Sequence, residues 1–301
     1  MSVSLLLPGA RMSSTGYRPS MIVDVHSHTW DFPRDFGEDF LRQAKRAKAG
    51  LEVDLTVRYE DYAAEATPDT RTVVFGGKAK RSGVWVDDRY VAAYVAQHPE
   101  RLIGFLSVDP TQPAWQDEMR HGHQELGLHG IKLLPMYAGF RPDHGELDPL
   151  WEYAEKHQLP VLLHTGTTFV AQAPLECTLP RWIDNVAIRF PAVKIVMAHL
   201  GHPYEGECIV TIRKHPNVYA DISALHYRPF QFYHSLMLVQ EYGVWDKLLF
   251  GSDYPFTTVN ATIRDLRRMN DMLAGTALPC LNLEQIESLI HRDSLRILDL
   301  D

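Results

Sequence analysis

Short apolar runs recur along the chain, each followed by a longer stretch with helical spacing or turn chemistry. The runs fall at 22–28 (IVDVHSH), 71–75 (RTVVF), 102–109 (LIGFLSVD), 130–134 (GIKLL), 160–166 (PVLLHTG), 194–201 (KIVMAHLG), 218–223 (VYADIS) and 247–253 (KLLFGSD). Most are near-continuous Val, Ile, Leu and Phe rather than alternating. That is what strands buried on both faces of a parallel sheet require. Helical patterns lie between them at 88–97, 113–126, 148–157, 180–190, 206–214, 229–242, 259–273, 283–290 and 292–298. Their ends carry ordinary signals: Pro113 and Pro149 in first turns, Gly127 and Gly243 past the last ones. Eight strands alternating with helices, in one composition regime, predict a single α/β domain over 21–301, a (β/α)8 TIM barrel. The alternative is an open doubly wound sheet. No G-x-G-x-x-G follows any of the runs, so nothing marks a dinucleotide crevice.

The segment 29–70 is far longer than an ordinary strand-to-helix loop and is expected as an insertion after the first strand. Within it, 42–48 (RQAKRAK) reads as a solvated basic helix face. Residues 1–20 lack periodicity and read as a flexible extension, which makes Met21 a plausible native start. No run approaches the roughly 20 apolar residues needed to span a bilayer. The early run Leu5 to Leu7 is too short for a signal-peptide core.

Composition narrows the partners. Of 301 residues, 45% are apolar and 23% charged, an ordinary globular balance. Lys and Arg number 30 against 38 Asp and Glu, for a net charge of −8, which offers no bulk attraction to nucleic acid or anionic membrane. Three cysteines, Cys177, Cys208 and Cys280, have no metal-type spacing and point to a reducing, cytoplasmic setting. The unusual count is 15 His, and their placement carries the chemistry.

Catalytic groups of such barrels project from the C-terminal ends of the strands. The first strand ends in His26 and His28, two apart and so on one face. The fifth ends in His164, the sixth in His199 and the eighth in Asp253, each after an apolar stretch. Any one of them alone has an ordinary structural explanation. Five ionisable groups at equivalent ends of four strands would be costly to bury together without a partner. A divalent cation shared among them removes that cost, so the set predicts a metal centre.

With those residues in view, the chain resembles the amidohydrolase superfamily, in its amidohydrolase-related branch of aminocarboxymuconate-semialdehyde decarboxylase-like enzymes. The resemblance rests on VDVHSHTW at 23–30, GIKLLP at 130–135, VLLHTG at 161–166, IVMAHLG at 195–201 and LLFGSDYPF at 248–256, in family order, and extends to about residue 298. It implies His26, His28, His164 and Asp253 as metal ligands, with His199 and Asp253 catalytic. Asp293-Ser294 stands where the branch often has Asn-Ala. Three imidazoles and a carboxylate suit one divalent ion, zinc first, with manganese, iron or cobalt as alternatives. Two-metal relatives carry a carboxylated Lys on the fourth strand; in this branch, with one metal, Lys132 is expected to be structural or to contact substrate.

A divalent ion at such a centre makes a nucleophilic water available near neutral pH, and Asp253 is placed to accept its proton. The expectation is a metal-dependent hydrolase of an amide, ester or lactone bond. The same residues serve a metal-dependent decarboxylase of unsaturated or aromatic acids. A third reading is a catalytically dead barrel that binds a partner, against which stands the intact set of ligand types. Lys78, Lys80 and Arg81 follow the second strand and Arg141 the fourth, which suggests a small anionic substrate. Trp30, Phe32, Phe140, Tyr254 and Phe256 follow strand-end motifs and fit a flat ligand. His144, His202 and His226 are read as surface or supporting groups. A homo-oligomer through the insertion is left open.

Overall fold

The computed structural model describes residues 21–51 and 53–301; the expected extension at 1–20 lies outside the described residues. Eight strands form one sheet: β1 (Val23–His28), β2 (Arg71–Phe75), β3 (Leu102–Ser107), β4 (Ile131–Leu133), β5 (Val161–Leu163), β6 (Ile195–Met197), β7 (Val218–Asp221) and β8 (Leu248–Leu249). Their order in space is their order in sequence, and every neighbouring pair is parallel. The chain after β8 closes on β1: Val25 N–H donates to the Phe250 carbonyl at 2.9 Å, and His28 N–H to that of Tyr254 at 2.8 Å. This is the TIM barrel the apolar runs predict.

The strands are shorter than the runs, and the reason bears on function. His164, His199 and Asp253 belong to the runs but lie just past the strands, His164 N–H still donating to the Leu133 carbonyl at 2.9 Å. On β1 the register shifts between Asp24 and Ser27, a bulge that re-aims the histidine end of the strand. Val23, Val25, Val73, Phe75, Phe105 and Leu249, from β1, β2, β3 and β8, meet Leu162 of β5 and Val196 of β6 in one cluster. Residues from strands on opposite sides can meet only in the lumen, so the barrel interior is packed. Leu295 and Leu298 of the C-terminal segment join that cluster. Asp293 caps the last helix, Ser294–Ile297, by accepting from Arg296 N–H, a structural role for the place where the branch pattern departs.

A larger cluster packs helices on the outer faces of the strands, with Trp151 wholly buried and its Nε1 donating to the Pro142 carbonyl at 2.9 Å. Trp151→Ala should lower unfolding free energy by about 3–5 kcal/mol in urea denaturation, since it leaves both a cavity and an unpaired carbonyl. A loss below about 1 kcal/mol would show that this layer is not close-packed.

The insertion carries helices Glu38–Ala47 and Tyr59–Ala64. The basic stretch is largely exposed, and Arg42 pairs with Asp39 one turn away. Two details depart from expectation. The loop after β2 folds into a hairpin, Lys78–Ala79 against Val84–Trp85, and Lys78 is buried against Asp88 at 2.8 Å and Glu118 at 2.9 Å. Its charge is therefore matched inside the protein. The helix expected at 259–273 ends at Arg267 and continues as a 3-10 turn, Met269–Leu273. No helix among the described residues is long and apolar enough to cross a membrane.

Candidate metal centre

The five polar strand-end residues meet. Ring centroids of His26 and His28 lie 5.3 Å apart, those of His26 and His199 5.0 Å, and those of His164 and His199 5.1 Å. Asp253 Oδ1 is 3.3 Å from His26 Nε2 and 3.2 Å from His28 Nε2. Among the described residues, one possible donor atom each from His26, His199 and Asp253 lie within 4.8 Å of one another. That trio includes His199, which the family resemblance puts outside the ligand set. His28 reaches the trio through Asp253, and His164 through its ring contact with His199.

The backbone is bent to achieve this. His199, Leu200 and Asp253 have φ of 58°, 50° and 68°, in the left-handed region that non-glycine residues avoid. Such strain costs about 1–3 kcal/mol per residue and persists only where surroundings enforce it. Here His199 N–H donates to Asp221 Oδ1 at 2.9 Å and Asp253 N–H to the His26 carbonyl at 2.8 Å. Gly251 is required by contact: a Cβ there would lie 2.9 Å from His26 Cβ.

Burial sets the charges. It pushes the His26 imidazolium down to about 3, with nearby Lys132 adding to the shift and Asp221 and Asp253 opposing it. Burial, then neighbouring cationic groups, hold His28 and His164 well below the usual histidine range. Burial raises Asp253, against the pull of His26, His199 and Lys132. Lys132 is itself buried, its Nζ 3.3 Å from His26 Nε2 and 4.1 Å over the Phe75 ring, and burial lowers it to about 7. Burial alone would raise Asp221, but His26, His199 and Ser223 together hold it well below the carboxylate range.

These residues fit a divalent cation. His164 Nε2 is buried with no hydrogen-bond partner, an arrangement proteins avoid unless something else takes the lone pair. Neutral imidazoles beside a carboxylate are the protonation states that metal binding needs.

The predicted periphery divides. Trp30 stacks on His28 with centroids 4.7 Å apart, and Phe256 meets both rings edge-on at 6.2 Å. Tyr137, which the sequence reading missed, lies 5.0 Å from His164. Phe32 packs on Phe36 and Tyr254 on Tyr62, while Phe140 is buried in the outer core. Lys80 and Arg81 are exposed on the turn of the hairpin; Lys80 sits 5.8 Å over Trp85, and Arg81 donates to the Gln172 carbonyl at 2.9 Å. Arg141 stacks on Trp182 at 3.4 Å and holds Asp143 through two hydrogen bonds. His202 is buried on Glu205, their atoms 2.5 Å apart. The sequence reading also missed Asp221 and Ser223, which flank His26 and His199. The signal was available: an acid and a hydroxyl two apart at a strand end, in the run VYADIS.

A family model described as Amidohydrolase matches residues 23–286, a span that runs from the first strand past the last and contains all five residues. The chain belongs to the amidohydrolase family. A dihydroorotase from Alcanivorax borkumensis is 32% identical over 82 residues, which is 24% of this chain and 24% of that protein. Solved structures are similar over nearly their whole length. An uncharacterized TIM-barrel protein from Bordetella bronchiseptica matches with TM-score 0.69 and 21% identity, over 93% of this chain and 99% of that one. A probable 2-pyrone-4,6-dicarboxylic acid hydrolase from Acinetobacter baumannii matches with TM-score 0.63 and 14% identity, over 92% and 99%. A 5-carboxyvanillate decarboxylase from Novosphingobium aromaticivorans, with bound manganese, matches with TM-score 0.63 and 15% identity, over 94% and 98%. At these identities the likeness is one of fold.

Proposed function

We propose that this amidohydrolase hydrolyses an amide, ester or lactone bond of a small, flat, carboxylated molecule, with one divalent ion held by His26, His28, His164 and Asp253. The observation that carries the reading is the convergence of Asp253 on two imidazoles beside the unpartnered Nε2 of His164. Zinc is the first choice for this donor set, with manganese, iron or cobalt as alternatives. When bound, the ion supplies Lewis acidity and an activated water.

The protein's own groups do the rest. Asp253 accepts a proton from the attacking water and returns it to the leaving group, a role suited to a carboxylate whose affinity for protons burial has raised. His199, its ring 5.0 Å from that of His26, serves as a further acid/base beside the centre. Lys132, the cation nearest the centre, and Lys80 and Arg81 on the hairpin favour an anionic substrate, whereas the charge of Arg141 is already matched by Asp143. Trp30 and Phe256 wall the approach to His28 and suit a flat molecule. The fold likeness to a probable pyrone dicarboxylate hydrolase supports the same substrate type. The enzyme works in the cytoplasm, in keeping with three free cysteines, and a homo-oligomer would be built on the insertion.

The aromatic walls also suit a second reading, decarboxylation of an aromatic acid, which the fold likeness to a carboxyvanillate decarboxylase supports. One experiment separates them. Metal-loaded enzyme is incubated in ¹⁸O-water with lactones, amides and aromatic acids. Hydrolysis adds one ¹⁸O to the product and releases no carbon dioxide; decarboxylation does the reverse. We expect ¹⁸O incorporation; turnover of none of these compounds would remove both readings.

A further inference from the structure

Asp221 and Ser223 sit behind the imidazoles and belong to none of the roles assigned above. Asp221, at the end of β7, is fully buried. Its Oδ1 accepts from the backbone N–H of His199 at 2.9 Å and of Ser223 at 3.0 Å, and lies 2.5 Å from Ser223 Oγ. Its Oδ2 lies 2.8 Å from His26 Nδ1. Ser223 Oγ lies 3.1 Å from His26 Nδ1 and 2.8 Å from His199 Nδ1. His199 Nδ1 is also 3.1 Å from the Ser223 carbonyl oxygen.

Counting protons fixes the direction of every bond. A backbone N–H only donates, a carbonyl only accepts, and a serine hydroxyl has one proton to give. Two backbone donors on Asp221 Oδ1 leave no place for a proton on that oxygen. The short contact to Ser223 Oγ then needs the hydroxyl proton between the two oxygens, so Ser223 donates to Asp221. With its proton committed, Ser223 Oγ can only accept from the two rings. The Ser223 carbonyl separately demands a proton on His199 Nδ1.

We infer that Asp221, working with Ser223, is a positioning residue that fixes both His26 and His199 in the Nδ1–H tautomer, so that each Nε2 presents an electron pair to the centre. For His26 that atom is the one facing Asp253 and Lys132. A ring nitrogen bonded to a carboxylate behind a ligating histidine sets the tautomer and sharpens metal affinity. The affinity part rests on the metal-centre reading proposed above; the tautomer part does not.

Asp221→Asn makes the test specific. The two backbone N–H donors still need an acceptor, so the amide oxygen takes the Oδ1 place and the NH2 faces His26 Nδ1. An NH2 cannot accept, so the His26 proton moves to Nε2. His199 keeps its Nδ1–H on the Ser223 carbonyl. One ring switches and the other does not, which a general loss of structure would not produce. The measurement is long-range ¹H–¹⁵N NMR of the ¹⁵N-labelled, chelator-treated full chain, followed by titration with Zn²⁺. We expect both rings as Nδ1–H in the wild type, His26 alone as Nε2–H in Asp221→Asn, and Zn²⁺ affinity lowered about 10–100-fold in the variant. An Nε2–H ring at either position in the wild type overturns the inference, and that spectrum decides alone if the variant does not fold. His26 still Nδ1–H in a folded variant also overturns it. The expected tautomers with no Zn²⁺ binding in either protein would uphold the inference and remove the metal reading instead.

Discussion

His26→Ala should strip the protein of its metal and its activity together. His26 lies at the centre of the cluster: Nε2 faces Asp253 at 3.3 Å, Nδ1 faces Asp221 at 2.8 Å, and its ring touches those of His28 and His199. Alanine removes a ligand and leaves Asp221, a buried carboxylate, without its strongest side-chain partner. Removing a neutral donor from a buried carboxylate costs about 1.5–3 kcal/mol, so circular dichroism must accompany the assay to show that the barrel persists. The metal content, by elemental analysis, should fall from about one ion per chain to near zero, and kcat/KM should fall below detection. His199→Ala is the contrast. It should cripple turnover and retain most of the metal. Metal loss in that variant would mean that the trio of His26, His199 and Asp253 is itself the ligand core.

Asp253→Asn should lower kcat by several orders of magnitude with the fold intact. The substitution keeps the size and shape of the side chain but removes its charge and its ability to carry a proton. Asn also tolerates the left-handed backbone that Asp253 adopts at φ 68°, so strain does not confound the result. Each tenfold loss corresponds to about 1.4 kcal/mol of transition-state stabilisation. The check is kcat at saturating metal and substrate. A loss of tenfold or less would mean that another group handles the proton, and Lys132, 3.3 Å from His26, would be the next residue to replace.

Much of this was legible in the sequence, for identifiable reasons. Strands buried on both faces must be nearly all apolar, so the eight runs stood out, and their order in the chain became their order in the barrel. A polar residue at the end of such a run is conspicuous, which is how His26, His28, His164, His199 and Asp253 were found. What the sequence hid depends on tertiary partners. The charge of Lys78 is matched by Asp88 and by Glu118, which lies 40 positions away, and no local pattern announces that pairing. Arg141 reads as a free cation until Trp182 and Asp143 are seen to hold it. Asp221 looks like a polar position in an ordinary strand until the fold sets it behind a histidine 195 residues earlier. The left-handed backbone at His199 and Leu200 has no signal in residue type, because neither is a glycine.

The most direct test is anomalous diffraction from crystals grown with Zn²⁺, with data on both sides of the zinc absorption edge. We expect one strong peak per chain, about 2.0–2.2 Å from ring nitrogens of His26, His28 and His164 and a carboxylate oxygen of Asp253. No peak among these residues, or a peak that His28 and His164 do not touch, would contradict it.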